Sequence, residues 1–541
     1  MKALMLWLPA IPLSVATSFD SPQKTLDPDR IRCPDYSSHS SAHHEPRSTG
    51  RYRLAYQRPD PACRTFNLTE VEETIASMRQ VIKDPDLFRL FENCFPNTLD
   101  TAITWKGFSN ETNQELTFIT TGDIPAMWLR DSAHQLISYS SLLTPSNSSD
   151  SLASLFRGAI NLQARYILTA PHCNAFNPPA ESGNHFVQTP LSSDYVQPAV
   201  PLFSSSSSSP SSFSSGTSSP VYECKYELDS LASFLVLSHA YHSRTNDSLF
   251  FLSPENPDWL QAVIKILDLA DELKGGTYNR DGTVAWSPYQ FQRVTSTSTE
   301  TLMNGGFGSP VRGGTGMVRS AFRPSDDACG FQLFVPGNMM LARGLEMTAE
   351  MIIGGGNHEA VRKRMDGMAK GIRKGVEKHG RFDHARFGRV YGYEVDGFGG
   401  VVAMDDANIP SLLSAPLFGY LDRHDLVYQN TRRFVLSEYN PYYMFGPVLN
   451  GTGGPHIGPG MAWPMSLIVR IMTSDDDEEI VSSLKQIMSS TAEYGLIHES
   501  VNTHDSSVWT RHWFSWANGL FGQMILDLKE RKPHLLALSY Q

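Results

Sequence analysis

Apolar residues recur at helical spacing along most of the chain. Val71, Ile75, Met78 and Ile82 follow a capping-box pattern of Thr69 with Glu72, so a helix starts there and Asn67 falls just outside it. Leu152, Leu155, Phe156, Ala159 and Leu162 share one helical face over 152–166, and Val361, Met365, Met368, Ile372 and Val376 share another over 361–376. The basic residues of the second segment, such as Arg362, Lys363 and Lys370, fall mostly off the apolar stripe and read as a solvated face. The acidic run Asp475 to Glu479 follows Thr473 and Ser474 and precedes Ile480, Leu484 and Ile487. That order predicts a helix N-terminus favoured by the dipole, not a calcium loop. Further helices are predicted near 228–242, 259–273, 336–352, 409–421, 461–472 and 513–530, whereas period-2 strands are few. The fold class is therefore predominantly α.

Between the helices run long loops of Gly, Pro, aromatic and charged residues, at 117–131, 285–335, 391–408 and 445–463, the kind of loop that carries function in compact domains. Residues 203–220 are nearly all Ser and Pro, and 294–316 are rich in Ser, Thr and Gly. Both read as low-complexity surface insertions, because helices resume on either side. Residues 17–60 lack apolar periodicity and read as a flexible leader. What remains, 61–541, is read as a single catalytic domain.

Composition narrows the compartment and the partners. Lys2 precedes an apolar run from Ala3 to Val15 with small residues at Ser14 and Ala16, which predicts a signal peptide over 1–16, a mature start near Thr17 and a secreted product. No later apolar stretch is long enough to span a membrane, so the mature form is expected off the membrane. Sequons at Asn67, Asn110, Asn147, Asn246 and Asn450 agree with a secretory route. Six cysteines permit up to three disulfides, leave their pairing open, and show no zinc-ligand spacing. A net charge of -11 opposes nucleic acid as a partner.

Polar groups concentrate among aromatics in TGDIPAMWLRDS (121–132), YELDS (226–230), FRPSDDACG (322–330), YEVDGFGGVVAMDDANIP (393–410) and GLIHESVNTHDSSVWTRHWFSWANG (495–519). Hydrolysis of a glycosidic bond needs two carboxyl groups, one protonating the departing oxygen and one activating water or attacking carbon. On chemistry alone Asp326, Asp327, Glu499, Asp131, Asp405 and Asp406 all qualify. Taken together and in order, these blocks resemble glycoside hydrolase family 125, the exo-α-1,6-mannosidases, over roughly residues 70 to 530. The resemblance implies an (α/α)6 helical barrel with long loops forming a pocket at one end. It also implies removal of non-reducing-end mannose with inversion, mannose-containing glycans as partners, and neither cofactor nor catalytic metal.

Carried over by position, the resemblance makes Asp326 or Asp327 the general acid and Glu499 the general base, with His498, His504 or Arg511 as helpers of the base. Inversion sets the two carboxyls roughly 6.5–9.5 Å apart. Asp123, Trp128, Arg130 and Asp131 read as part of the sugar pocket, joined by Asp406, Asn408, His456, Trp463, His504 and Arg511; the competing reading of Arg130 with Asp131 is a buried pair that pins a helix start. Arg323 either orients a hydroxyl or satisfies a loop carbonyl. Glu227 and Asp229 read as helix-cap and ion-pair residues lining the barrel, and Trp509, Trp513 and Trp516 as mostly core. Two rivals stand beside this reading: a calcium-dependent α-mannosidase with a related barrel, which a chelator silences, and a carbohydrate-binding glycoprotein without catalysis, which is indifferent to loss of Glu499.

Overall fold

A computed structural model describes residues 33–183, 194–201, 219–254 and 256–541. The signal peptide expected over 1–16 and nearly all of the insertion at 203–220 lie outside the described residues.

The major helices are α1 (Thr69–Val81), α2 (Pro85–Cys94), α3 (Leu129–Ile137), α4 (Leu152–Thr169), α5 (Leu228–Thr245), α6 (Asp258–Glu272), α7 (Val335–Met351), α8 (Asn357–His379), α9 (Leu426–Val435), α10 (Pro464–Met472), α11 (Asp477–Ser489) and α12 (Ser515–Arg531). Helices α10, α12, α3, α5 and α7 touch in that order and line the barrel. In α7 almost every side chain is buried, as an inner helix requires. Outer helices such as α6 and α8 bury one stripe, and the basic face of α8 is solvated: Arg364 pairs with Asp268 and Asp271, and Arg373 with Glu346. Helix α11 begins as its acidic run predicts, with Asp476 as cap accepting from the amides of Glu478 and Glu479.

Where 409–421 predicts a helix, the chain instead makes successive turns. Pro410 and Pro416 interrupt the amide ladder, and Ser411 and Ser414 exchange side-chain bonds with each other's amides, which replaces helical pairing.

Very short strands cap one end of the barrel. Met127–Trp128 pairs with Ala175–Phe176, Leu333–Phe334 with Glu394–Val395, and Met461–Ala462 with Ser500–Asn502, which also pairs with Trp509–Thr510. Three of these strands run directly into α3, α7 and α10, so the inner helices begin at this end and present their first turns to it.

Two readings from composition are corrected. Of the leader expected over 17–60, the described part is held on the domain: Cys33 is bonded to Cys63, Tyr36 packs edge-on against Trp513, and its hydroxyl donates to the Gln57 carbonyl. The 294–316 segment is not a loose insertion either. It buries Leu302 and Val311, and Gly316 comes close enough to Gly371 that a Cβ there would meet the carbonyl at 2.6 Å. In both cases a few anchors fix a stretch whose average composition is polar. Cys173 is bonded to Cys224, and Cys94 and Cys329 are buried thiols. Four sequon asparagines are exposed, and Asn450 is half-buried with its Oδ1 accepting from the Gly446 amide.

Candidate active site

A cavity of about 350 Å³ opens at the capped end of the barrel, lined by Trp128, Arg130, Asp131, Asp326, Asn408, His456, Trp463, Glu499 and Arg511 among others. Its walls come from the first turns of α3 and α12 and from the loops before α7 and α10. One side of it is crowded with carboxyl groups. Arg130, on the first turn of α3, places Nη1 at 2.6 Å from Glu227 and 3.2 Å from Asp229, Nε at 3.4 Å from Asp131, and Nη2 at 3.8 Å from Asp326. Four carboxyl groups thus share one guanidinium, helped by Lys225, which also lies beside Glu223 at 3.5 Å. The excess of negative charge in a buried site favours retaining a proton within the cluster.

Asp326 and Asp131 both line the cavity, and Asp326 is the more open of the two, its side chain one-quarter exposed while Glu227 is fully buried. It sits at φ +66°, a left-handed conformation that costs a non-glycine residue energy and that aspartate tolerates better than most. Its Oδ1 accepts from Trp128 Nε1 at 3.2 Å and from Asn174 Nδ2 at 3.2 Å. The same Asn174 amide donates to Glu227 at 3.1 Å, so the two carboxyls face each other across one donor and within hydrogen-bond reach. Burial pushes both acids up. For Glu227 that prevails, with the Asp326 charge adding to it, whereas Arg130 and Lys225 hold Asp326 below the usual carboxylate range. Burial likewise brings Asp229 to about 6 against the pull of Arg130.

The opposite wall is organised around one carboxylate and one cation. Glu499 accepts from Thr510 Oγ1 at 2.9 Å and from Arg511 Nη1 at 3.3 Å, and Arg511 Nε is fixed by Asp123 at 2.8 Å. His456 lies between the walls, its Nδ1 3.4 Å from Asp327. Burial alone lowers its pKa, but the bond to Asp327 and the charges of Asp327, Asp326 and Glu499 outweigh that and raise it to about 9. Among the described residues no group of three or more His, Cys, Asp or Glu has the arrangement to hold a metal ion. In the carboxylate cluster the guanidinium of Arg130 occupies the position between the acids.

Comparison with known proteins decides what this constellation belongs to. Residues 84–526 match the family described as metal-independent α-mannosidase, GH125. The chain belongs to glycoside hydrolase family 125. This α-mannosidase is 46% identical over 509 residues to the meiotically up-regulated gene 157 protein of Schizosaccharomyces pombe, covering 93% of this chain and 94% of that one. It also resembles a Streptococcus pneumoniae metal-independent α-mannosidase solved in a non-productive complex with α-1,6-mannobiose. That likeness has a TM-score of 0.72 at 30% identity and covers 86% of this chain and 99% of the other. The six-hairpin helical barrel expected from the sequence is the fold, and the calcium-dependent alternative is set aside by membership of a metal-independent family.

Several sequence-predicted residues stand elsewhere in this GH125 site. Asp327 is buried behind the wall, bonded to Ser325 and His456. Arg323 is not a sugar contact: it is buried against Glu394, and its amide donates to the Asp327 carbonyl, so it fixes the loop bearing the aspartates. Asp406 lies beneath the cavity, where its Oδ1 accepts from the amide and side chain of Asn408. Asp123 reaches the site only through Arg511. His504 is exposed on the 503–508 turn and bonds Thr503, away from the cavity. His498 stacks on Trp509 at 4.2 Å beneath the hairpin. Glu227 makes the expected ion pair but no cap bond. Trp516, read as core, is buried and yet forms part of the cavity wall, as do Thr121, Ile124 and Phe514. Asn174 carried no motif. The Cys173–Cys224 disulfide beside it and its bond to the Lys225 amide at 3.0 Å are what hold it in the site.

Proposed function

We propose that this GH125 α-mannosidase is an exo-acting, inverting α-1,6-mannosidase in which Asp326 is the general acid and Glu499 the general base. The observation that carries the reading is that these two carboxyls, distant in sequence, line one small cavity in opposite electrostatic surroundings. A closed floor of buried Arg130 and Trp516 suits the terminal sugar of a chain. In the proposed reaction Glu499 takes a proton from water as that water attacks the anomeric carbon, while Asp326 gives a proton to the departing oxygen. Asp326 needs a source for that proton. Glu227, facing it across Asn174, holds one in the empty site and passes it on as the sugar displaces water from Asp326. The 1,6 linkage is supported by the mannobiose bound to the Streptococcus pneumoniae enzyme. Proton NMR of α-1,6-mannobiose hydrolysis tests the whole: β-mannose appears first, and α-mannose as the first product contradicts it. Loss of hydrolysis in Glu499→Gln with the fold intact separates this enzyme from a carbohydrate-binding glycoprotein.

We further read the chain as a secreted glycoprotein, on the support of two disulfides and four exposed sequons. Expression in a secretory host, followed by endoglycosidase treatment, is expected to lower its apparent mass; an unchanged mass from the culture medium contradicts glycosylation.

A further inference from the structure

Outside the catalytic pocket lies a second cavity, about 800 Å³, lined by Thr277, Tyr278, Trp286, Asn304, Phe307 and Arg319 among others. Its rim is aromatic and open: Trp286 is 80% exposed, Tyr278 53% and Phe307 46%. Exposed rings gathered at one concave place mark a ligand groove more often than chance. The platform is also fixed. Residues 277–285 form a tight hairpin closed by Ala285 N to Thr277 O at 2.9 Å, and Thr277 N donates to Val311 O at 2.9 Å. Gly276 meets Gly313 so closely that a Cβ there would stand 2.5 Å from the Gly313 amide nitrogen.

At the inner wall lies Arg319, only 7% exposed. Its Nε and Nη2 donate to the Gly275 carbonyl, and among the described residues no carboxylate pairs with it. Elsewhere the buried guanidiniums of Arg58, Arg130 and Arg323 are all met by carboxylates. A cation taken out of water without a counter-charge is costly, and burial alone pulls Arg319 below its usual pKa. An anion entering the cavity relieves that cost through charge-assisted bonds to the N–H groups of Nη1 and Nη2 that the Gly275 carbonyl leaves over. The cavity is on the catalytic face of the barrel: the amide of Ala321, two residues beyond Arg319, donates to the carbonyl of Tyr226, beside Glu227.

We propose that this cavity is a second carbohydrate site that takes an acidic sugar, its ring against Trp286 and Tyr278 and its phosphate or carboxylate against Arg319. The inference does not depend on the assignment of acid and base. Isothermal titration of the full chain with mannose 6-phosphate, glucuronic acid, mannose and inorganic phosphate tests it and tells the two anion sources apart. At least one acidic sugar binds saturably and at least tenfold more tightly than mannose or inorganic phosphate. Trp286→Ala weakens that binding tenfold or more while kcat on α-1,6-mannobiose stays unchanged, and Arg319→Gln abolishes it. Because Arg319 also holds the Gly275 carbonyl, Trp286→Ala carries the test if the arginine variant misfolds. No saturable binding of either acidic sugar, equal binding of mannose or of inorganic phosphate, or full retention in Trp286→Ala overturns the proposal.

Discussion

The two walls of the candidate active-site cavity hold the same functional group in different company. Around Asp326, three other carboxyls compete for one guanidinium, and two of them, Glu227 and Asp229, are fully buried. Around Glu499, one carboxylate receives a guanidinium and a hydroxyl, and a further carboxylate, Asp123, only orients that guanidinium. The crowded wall favours keeping a proton within the cluster; the other offers its carboxylate a cation and a hydroxyl. In the proposed assignment, acid and base differ in the number of charges near each, not in residue type.

The contrast breaks most severely if the base is removed. Glu499→Gln keeps the shape and one acceptor oxygen but cannot take a proton from water, and kcat on α-1,6-mannobiose is expected to fall by about three orders of magnitude, within the range general base catalysis supplies. Steady-state kinetics check it, and an effect smaller than tenfold contradicts the role of Glu499.

Next comes the proton store. Glu227→Gln leaves the contacts of the amide but takes the shared proton away, so Asp326 is left beside Arg130 and loses its proton at lower pH. The alkaline limb of the kcat/KM profile should move to lower pH, with kcat near neutrality reduced on the order of 10–100-fold. A role in holding the fold alone lowers activity at all pH values and leaves the limb in place.

A smaller effect is expected across the cavity. Arg511→Lys breaks the fork shared by Glu499 and Asp123, and losing one charge-assisted bond lowers kcat/KM by roughly tenfold. Unchanged kinetics would show that Thr510 suffices.

The smallest effect is on stability. His456, raised to about 9 by its anionic neighbours, binds a proton more tightly folded than unfolded. Its contribution is complete below pH 6.5 and is lost as pH rises through about 9. His456→Gln should flatten the fall of Tm over that interval by about 1–2 °C; an identical slope in both proteins contradicts the charge on His456.

How much of this was legible in sequence depends on whether a residue acts through its neighbours along the chain or across space. Helices α4, α8 and α11 were readable because their apolar spacing and caps are local. The turn at 411–421 was not, since Ser and Pro changed the backbone pairing of a segment with acceptable apolar spacing. In the site, motif blocks gave Asp326, Glu499, Trp128 and Arg130, and the 445–463 loop gave His456, all of which line the cavity. They could not show that Asp326 lines the cavity and Asp327 does not, a difference that comes with a left-handed backbone at Asp326. Nor could they find Asn174, which the neighbouring disulfide holds in the site, or the upward push on the Glu227 carboxyl, which depends on burial and on the charges of Arg130, Asp326 and Asp229 from three segments. Asp406 and Asp123 were read as part of the sugar pocket, and Arg323 as either orienting a hydroxyl or satisfying a loop carbonyl; their partners Asn408, Arg511 and Glu394 are bonds that only the folded chain reveals.

The division of labour is tested most directly by a substrate that needs no acid. Asp326→Asn and Glu499→Gln are each assayed on α-1,6-mannobiose and on 2,4-dinitrophenyl α-mannoside, whose leaving group departs without protonation. The account predicts that Asp326→Asn loses the mannobiose reaction but keeps most of the dinitrophenyl reaction, whereas Glu499→Gln loses both. Equal losses on the two substrates for Asp326→Asn, or retention of the dinitrophenyl reaction by Glu499→Gln instead, would contradict it.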